Sequence, residues 1–205
     1  MNYRNISVPF RDKNYIKNKA DLFRQQFWDD SIPVNIEKII DVKLEINIVP
    51  TPMMMTLCDT DALIASDWQS IYVDENKYMD DRYQNRLRFS LAHEIGHFIL
   101  HKNIYSGFNI KEIRDIYKLY EEIPEKQYEY LETQANKFAN YLLVPRERLI
   151  IERDKVLKKY NGAINFKKQD VNTLNSYLAN PISCIFGVST DVIEIALNDI
   201  SINMK

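Results

Sequence analysis

Residues Phe89 to His101 place the strongest demand on any fold this chain adopts. On a helix turning about 100° per residue, Phe89, Leu91, Ala92, Ile95, Gly96, Phe98, Ile99 and Leu100 cover most of the circumference. Ser90, His93, Glu94, His97 and His101 share the remaining arc. A helix apolar nearly all round is a buried helix. Its polar strip therefore faces protein, and its surroundings must suit imidazole and carboxylate. The chain has three histidines, and all of them lie on this strip.

Within the strip, His93-Glu94-Ile95-Gly96-His97 spells H-E-x-x-H. The two imidazoles stand about 6 Å apart along the axis and about 40° apart around it. Both rings can converge on one ion, with Zn–N near ~2.0–2.1 Å. Glu94 points beside that pair and suits a general base acting on water whose pKa the ion has lowered. Zinc fits because two neutral imidazoles suit a borderline ion and hydrolysis needs no redox change. His101 lies about 12 Å from His93 along the axis, too far to share its ion, and reads as a core or pocket-rim histidine.

A catalytic zinc takes three protein ligands and keeps one position open. The extended pattern with a third histidine fails, because Leu100 and Asn103 stand where Gly and His would be needed. A second helix between Pro124 and Pro145 offers a carboxylate instead. Tyr128, Leu131, Ala135, Phe138, Ala139, Leu142 and Leu143 form its apolar face, and Glu132 falls inside that face. A carboxylate aimed at a core must be paired or bound to metal. Glu132 is thus the expected third metal ligand, and Asn136, one turn on, a hydrogen-bond partner for a ligating imidazole. Glu125 shares the same angle but is explained as a charge at the helix N-terminus. Tyr128, one of thirteen tyrosines, is a candidate for stabilising the oxyanion.

Taken together, Arg88 to His101, Glu132-Thr133-Gln134-Ala135-Asn136-Lys137-Phe138-Ala139 and Leu142-Leu143-Val144-Pro145 resemble the ImmA/IrrE family of bacterial zinc metallopeptidases. Ile32 to Ile40 is similar to the family's opening segment, so the resemblance runs from about residue 18 to 150. It implies a compact gluzincin-type α+β domain, one zinc held by His93, His97 and Glu132, and Glu94 as the catalytic glutamate. It further implies a protein substrate, since characterised relatives cut helix-turn-helix transcriptional repressors and so relieve repression. Some relatives carry their own N-terminal helix-turn-helix domain; here about twenty residues precede the resemblance.

The expected fold class is α+β, a small antiparallel sheet packed against a mainly helical metallopeptidase domain. Residues 1–160 form that domain, and 161–205 a helical extension packed on it. Helices are expected over 14–30, 34–41, from about 82 to 101, and over 146–160. Leu44, Ile46 and Ile48 mark a strand, and residues 62–66 and 69–73 a hairpin turning at Asp67-Trp68. Residues 51–60 read as a loop whose methionines fill core. Residues 103–123 suggest a helix or flap over the cleft, and Asn161-Gly162 a turn.

Hydrophobic content of 45% allows a proper core, and a net charge of −2 gives no electrostatic case for nucleic acid. Residues 182–200 superficially suggest helix-turn-helix, but the second helix carries Asp191, Glu194 and Asp199 and no Lys or Arg. It is therefore expected to pack or to dock substrate. Cys58 and Cys184 are lone thiols, expected as buried apolar residues. Without a signal peptide or membrane span the expected location is cytoplasmic. Two further readings share these residues: a regulatory relative that binds a repressor without cutting it, and a metalloprotease toxin with another target.

Overall fold

A computed structural model describes residues 3–105, 115, 121–160 and 171–202. Helix α1 (Lys13–Phe27) starts where the Asp12 side chain accepts the Tyr15 amide at 2.8 Å. It buries Ile16, Ala20 and Phe23 along one stripe. It stops three residues short of the expected end, because Trp28 is extended. Asp29 and Asp30 beyond it are unfavourable at a helix C-terminus.

Asn35 caps α2 (Ile36–Lys38), which continues as a π turn over Ile39–Lys43. Glu45 at φ +55 then redirects the chain. The expected strand around 44–48 consequently begins later, as β1 (Asn47–Thr51). The expected loop over 51–60 contains a short helix, α3 (Met54–Cys58). Met54 is fully buried, as core filling requires, whereas Met53 is exposed.

The hairpin forms as expected, with β2 (Ala62–Ile64) antiparallel to β3 (Ser70–Asp74). Trp68 turns it at φ +63. The sheet as a whole is mixed, not antiparallel: the order is β1-β3-β2, and β1 runs parallel to β3, Asn47 facing Ser70 and Thr51 facing Asp74. The segment between β1 and β3, holding α3 and β2, is long enough for the crossover a parallel pair needs. Pro50 is tolerated because β1 is an edge strand.

After α4 (Glu75–Tyr78) and a 3-10 turn comes α5 (Gln84–Leu100), then α6 (Lys102–Tyr105). Helix α5 is buried at Leu87, Leu91, Ala92 and Ile95 but only half-buried at Phe98, Ile99 and Leu100. Helix α7 (Glu125–Leu143) crosses it, and α1 packs on the other side of α7, with the Phe23 and Phe138 rings edge-on at 6.0 Å. The remaining helices are α8 (Arg146–Tyr160), α9 (Val171–Phe186) and α10 (Thr190–Ile202). The class is α+β. Most of the expected 103–123 segment and the Asn161-Gly162 turn lie outside the described residues, as does the Cys58 side chain.

Helix α9 ends at Gly187, whose φ of +61 lets the Val188 amide return to the Ser183 carbonyl at 3.2 Å. Arg88 of α5 donates to the Gly187 carbonyl and fastens this turn. Helix α10 buries Ile193, Ala196 and Leu197. Asn140 of α7 donates to the Val192 carbonyl at 2.9 Å, so α10 is a packed element. Cys184, expected inside, is exposed: Ser183 and Phe186 take the inner face of α9 and leave it outside. Among the described residues, no single helix is long and apolar enough to cross a membrane.

Candidate metal centre

The site depends on how closely α5 and α7 approach. A Cβ added at Gly96 would stand 3.0 Å from Ala135 Cα and 3.1 Å from its carbonyl oxygen. A glycine within H-E-x-x-H thus allows the two backbones to touch. His93 and His97 rise from α5 one turn apart, and Glu132 reaches them from α7, one turn before the contact.

The Nε2 atoms of His93 and His97 stand 2.9 Å apart. Glu132 Oε2 is 3.2 Å from His93 Nε2, and Oε1 is 3.5 Å from His97 Nε2. Four ligands held tetrahedrally at ~2.0–2.1 Å stand ~3.3–3.4 Å from one another. The three observed separations bracket that edge, so this donor set fits a single zinc-sized cation. Side-chain exposure is 2% for His97, 12% for His93 and 30% for Glu132, so the group opens toward the cleft on its Glu132 side.

The other imidazole nitrogens are occupied. Asn136 Oδ1 lies 2.8 Å from His93 Nδ1, where the helical spacing places it. His97 Nδ1 lies 3.0 Å from His101 Nδ1, and His101 Nε2 lies 3.3 Å from Gln134 Oε1. His101 is buried, a core residue in contact with the site. The sequence reading missed this link and Gln134, although Gln134 is a polar residue set among Leu131, Ala135 and Phe138 on α7. It could have been found by the reasoning that singled out Glu132.

Glu94 is buried, and its Oε2 accepts the Ile64 amide of β2 at 2.7 Å. Ligand atoms of His93, Glu94 and His97 lie within 4.8 Å of one another, so proximity alone makes Glu94 a rival third donor. Glu132 is the better placed: its two oxygens each face a ring Nε2, whereas one Glu94 oxygen is engaged by β2.

Burial raises the Glu94 carboxyl above its usual range, more than the nearby imidazoles and the Ile64 amide lower it. Glu132 shows the opposite balance. Burial would raise it, but the facing imidazoles of His93 and His97 hold it well below the usual carboxylate range. Burial likewise opposes charge on His93, yet the Glu132 hydrogen bond and the Glu94 and Glu132 charges lift it to about 9. Burial pushes His101 down to about 3.

The group opens into a cleft of about 1020 Å³. Thr60, Asp61 and Ala62 line one side, Phe89 and Ser90 lie along α5, and Val192 and Ile195 of α10 form another wall. Asp61 is buried and paired with Lys77 and Arg86, which holds the start of β2 beside the site. Tyr128 does not line this cleft; it is half-buried and packs against the core. Glu125 is exposed in the first turn of α7.

The IrrE N-terminal-like domain, Peptidase M78, matches residues 69–198. This family is one of metal-dependent peptidases, in keeping with the His-Glu-His group on α5. The match begins well after residue 18 and continues past 150, taking in α9 and most of α10. No curated protein sequence matches the chain. Covering more than half of the chain and both helices that build the site, the match shows that this protein belongs to the IrrE N-terminal-like (Peptidase M78) family.

Proposed function

We propose that this protein is a zinc-dependent endopeptidase that cuts a helix-turn-helix transcriptional repressor in trans, in the cytoplasm, and so relieves repression. His93, His97 and Glu132 would hold the ion. When bound there, zinc acidifies a water and polarises the scissile carbonyl. The observation that carries the reading is Glu94, buried beside both imidazoles and raised in proton affinity. Binding a metal needs no such group; hydrolysis does. Glu94 takes the proton from the attacking water and delivers it to the leaving amine.

The cleft supports an extended protein substrate over a small molecule. The Ala62 amide lies on the edge of β2 away from β3 and Ala62 lines the cleft, while the Ile64 amide on the same edge is held by Glu94. A peptide can add there as a further strand. The repressor as target rests on the resemblance to ImmA/IrrE peptidases. Helix α10 lines the cleft, which supports treating 161–205 as an extension of the same catalytic unit and gives DNA no part.

Elemental analysis of purified native and His97→Ala protein tests the metal: one zinc per chain in the first and none in the second is expected. Incubation of a candidate repressor with native and Glu94→Gln protein tests the chemistry. Cleavage by the native protein alone supports the proposal. A repressor that binds yet stays intact with both would make this a binding protein and not a peptidase.

A further inference from the structure

We infer that His101 and Gln134 are positioning residues that set the proton on His97 and thereby present its Nε2 to the metal. The inference rests on the reading of His97 as a ligand and concerns what prepares that ligand.

The direction of the hydrogen-bond chain is fixed at its far end. Gln134 Nε2 lies 3.0 Å from the Pro9 carbonyl oxygen, which can only accept. The Gln134 amide therefore donates there and turns Oε1 to His101 Nε2 at 3.3 Å. His101 must donate through Nε2. At 1% exposure, with no carboxylate at either ring nitrogen, it is a neutral imidazole, because an imidazolium sealed there would be costly. Its Nδ1 is then bare and accepts from His97 Nδ1–H across 3.0 Å. With that proton on Nδ1, Nε2 is the His97 atom left for a metal, and it faces His93 Nε2 and Glu132.

Each link follows from the one before, so a backbone carbonyl in the N-terminal segment selects the tautomer of a residue on α5. That segment is itself held on α7, where the Val8 amide donates to Gln127 Oε1 at 2.6 Å. His93 uses a shorter device, a single hydrogen bond from Nδ1 to Asn136. Hydrogen-bond partners of this kind alter metal affinity by about 10–100-fold.

The test uses full-length protein and zinc alone. Nitrogen-15 imidazole spectra of the metal-free protein, at a pH high enough to make its imidazoles neutral, should show His97 protonated only on Nδ1. His101→Ala should give a tautomer mixture and weaken zinc, in competition with a chromophoric chelator, by about 10–100-fold. His101→Asn places an amide oxygen near the lost Nδ1 and should restore most of the affinity and the single tautomer. Native His97 protonated on Nε2 would overturn the inference. So would a folded His101→Ala protein that binds zinc as tightly as the native one. If His101→Ala does not fold, the Asn variant decides by the same two readings. Native protein that binds no zinc would defeat the peptidase reading instead, while the spectra still decide the tautomer.

Discussion

The Ile64 amide donates to Glu94 Oε2 at 2.7 Å, so the last residue of β2 holds the carboxylate beside His93 and His97. The edge of β2 and the proposed base are thus joined by one hydrogen bond. Replacing Glu94 by Gln preserves an oxygen for that amide and removes the proton acceptor. Glu94→Gln should melt like the native protein, retain its metal, and lose about 10²–10⁴-fold in peptide hydrolysis. Turnover of a cleavable peptide, measured beside metal content, checks this. Undiminished hydrolysis would assign the base to another residue.

Glu132 and Asn136 should differ in degree. Asn136 touches only His93 Nδ1, so Asn136→Ala should weaken zinc by about 10–100-fold. Glu132 faces both Nε2 atoms, and Glu132→Ala should weaken it far more. Chelator competition ranks the two. Equal losses would demote Glu132 from ligand to hydrogen-bond partner and favour Glu94 as the third donor.

Stability should follow pH differently with and without metal. In the metal-free protein His93 is raised to about 9, so its contribution is full below its ordinary 6.5 and is lost as pH climbs through about 9. Glu132 is lowered, so its contribution is present above its ordinary 4.5 and is lost as pH falls toward its depressed value. The pair therefore stabilises most between pH 4.5 and 6.5. A bound ion must displace the His93 proton, so zinc affinity should decline as pH drops below about 9. Melting curves across pH, with and without chelator, should show metal protection growing toward alkaline pH. Protection independent of pH would mean that His93 carries no proton for the ion to displace.

Gly96 should tie stability to metal binding. A side chain there meets the Ala135 backbone at 3.0 Å, and the helices must part to admit it. Gly96→Val should cost about 1–3 kcal/mol through overpacking. It should also move Glu132 away from His97 and weaken zinc. Leu149→Ala, a core cavity on α8, should cost about 2–5 kcal/mol and leave the metal bound. If both variants bind zinc equally well, the close approach serves packing alone.

These expectations mark which parts of the molecule can be read along the chain. Glu132 and Asn136 were legible because helical spacing is local and a carboxylate on a core face needs a partner. Gln134 lies on the same face but carries no charge, so it raised no question of compensation. Tyr128, the oxyanion candidate, does not line the cleft, and helical side chains lean toward the N-terminus. One turn before Glu132, it leans away from the imidazoles and into the core. The β1–β3 pairing joins strands separated by a third, and hydrophobic alternation carries no record of such a partner. Glu45, an ordinary residue in a left-handed conformation, displaced the start of β1.

Asp199 of α10 gathers Lys13 from the first turn of α1, Arg146 from α8 and Tyr141 from α7. The outer wall of the cleft is thus anchored by a residue that follows His93, His97 and Glu132 in the chain and is made after them. During synthesis these three candidate ligands emerge before the residue that fixes the groove beside them. Emergence of Asp199, and not of those three residues, completes the site.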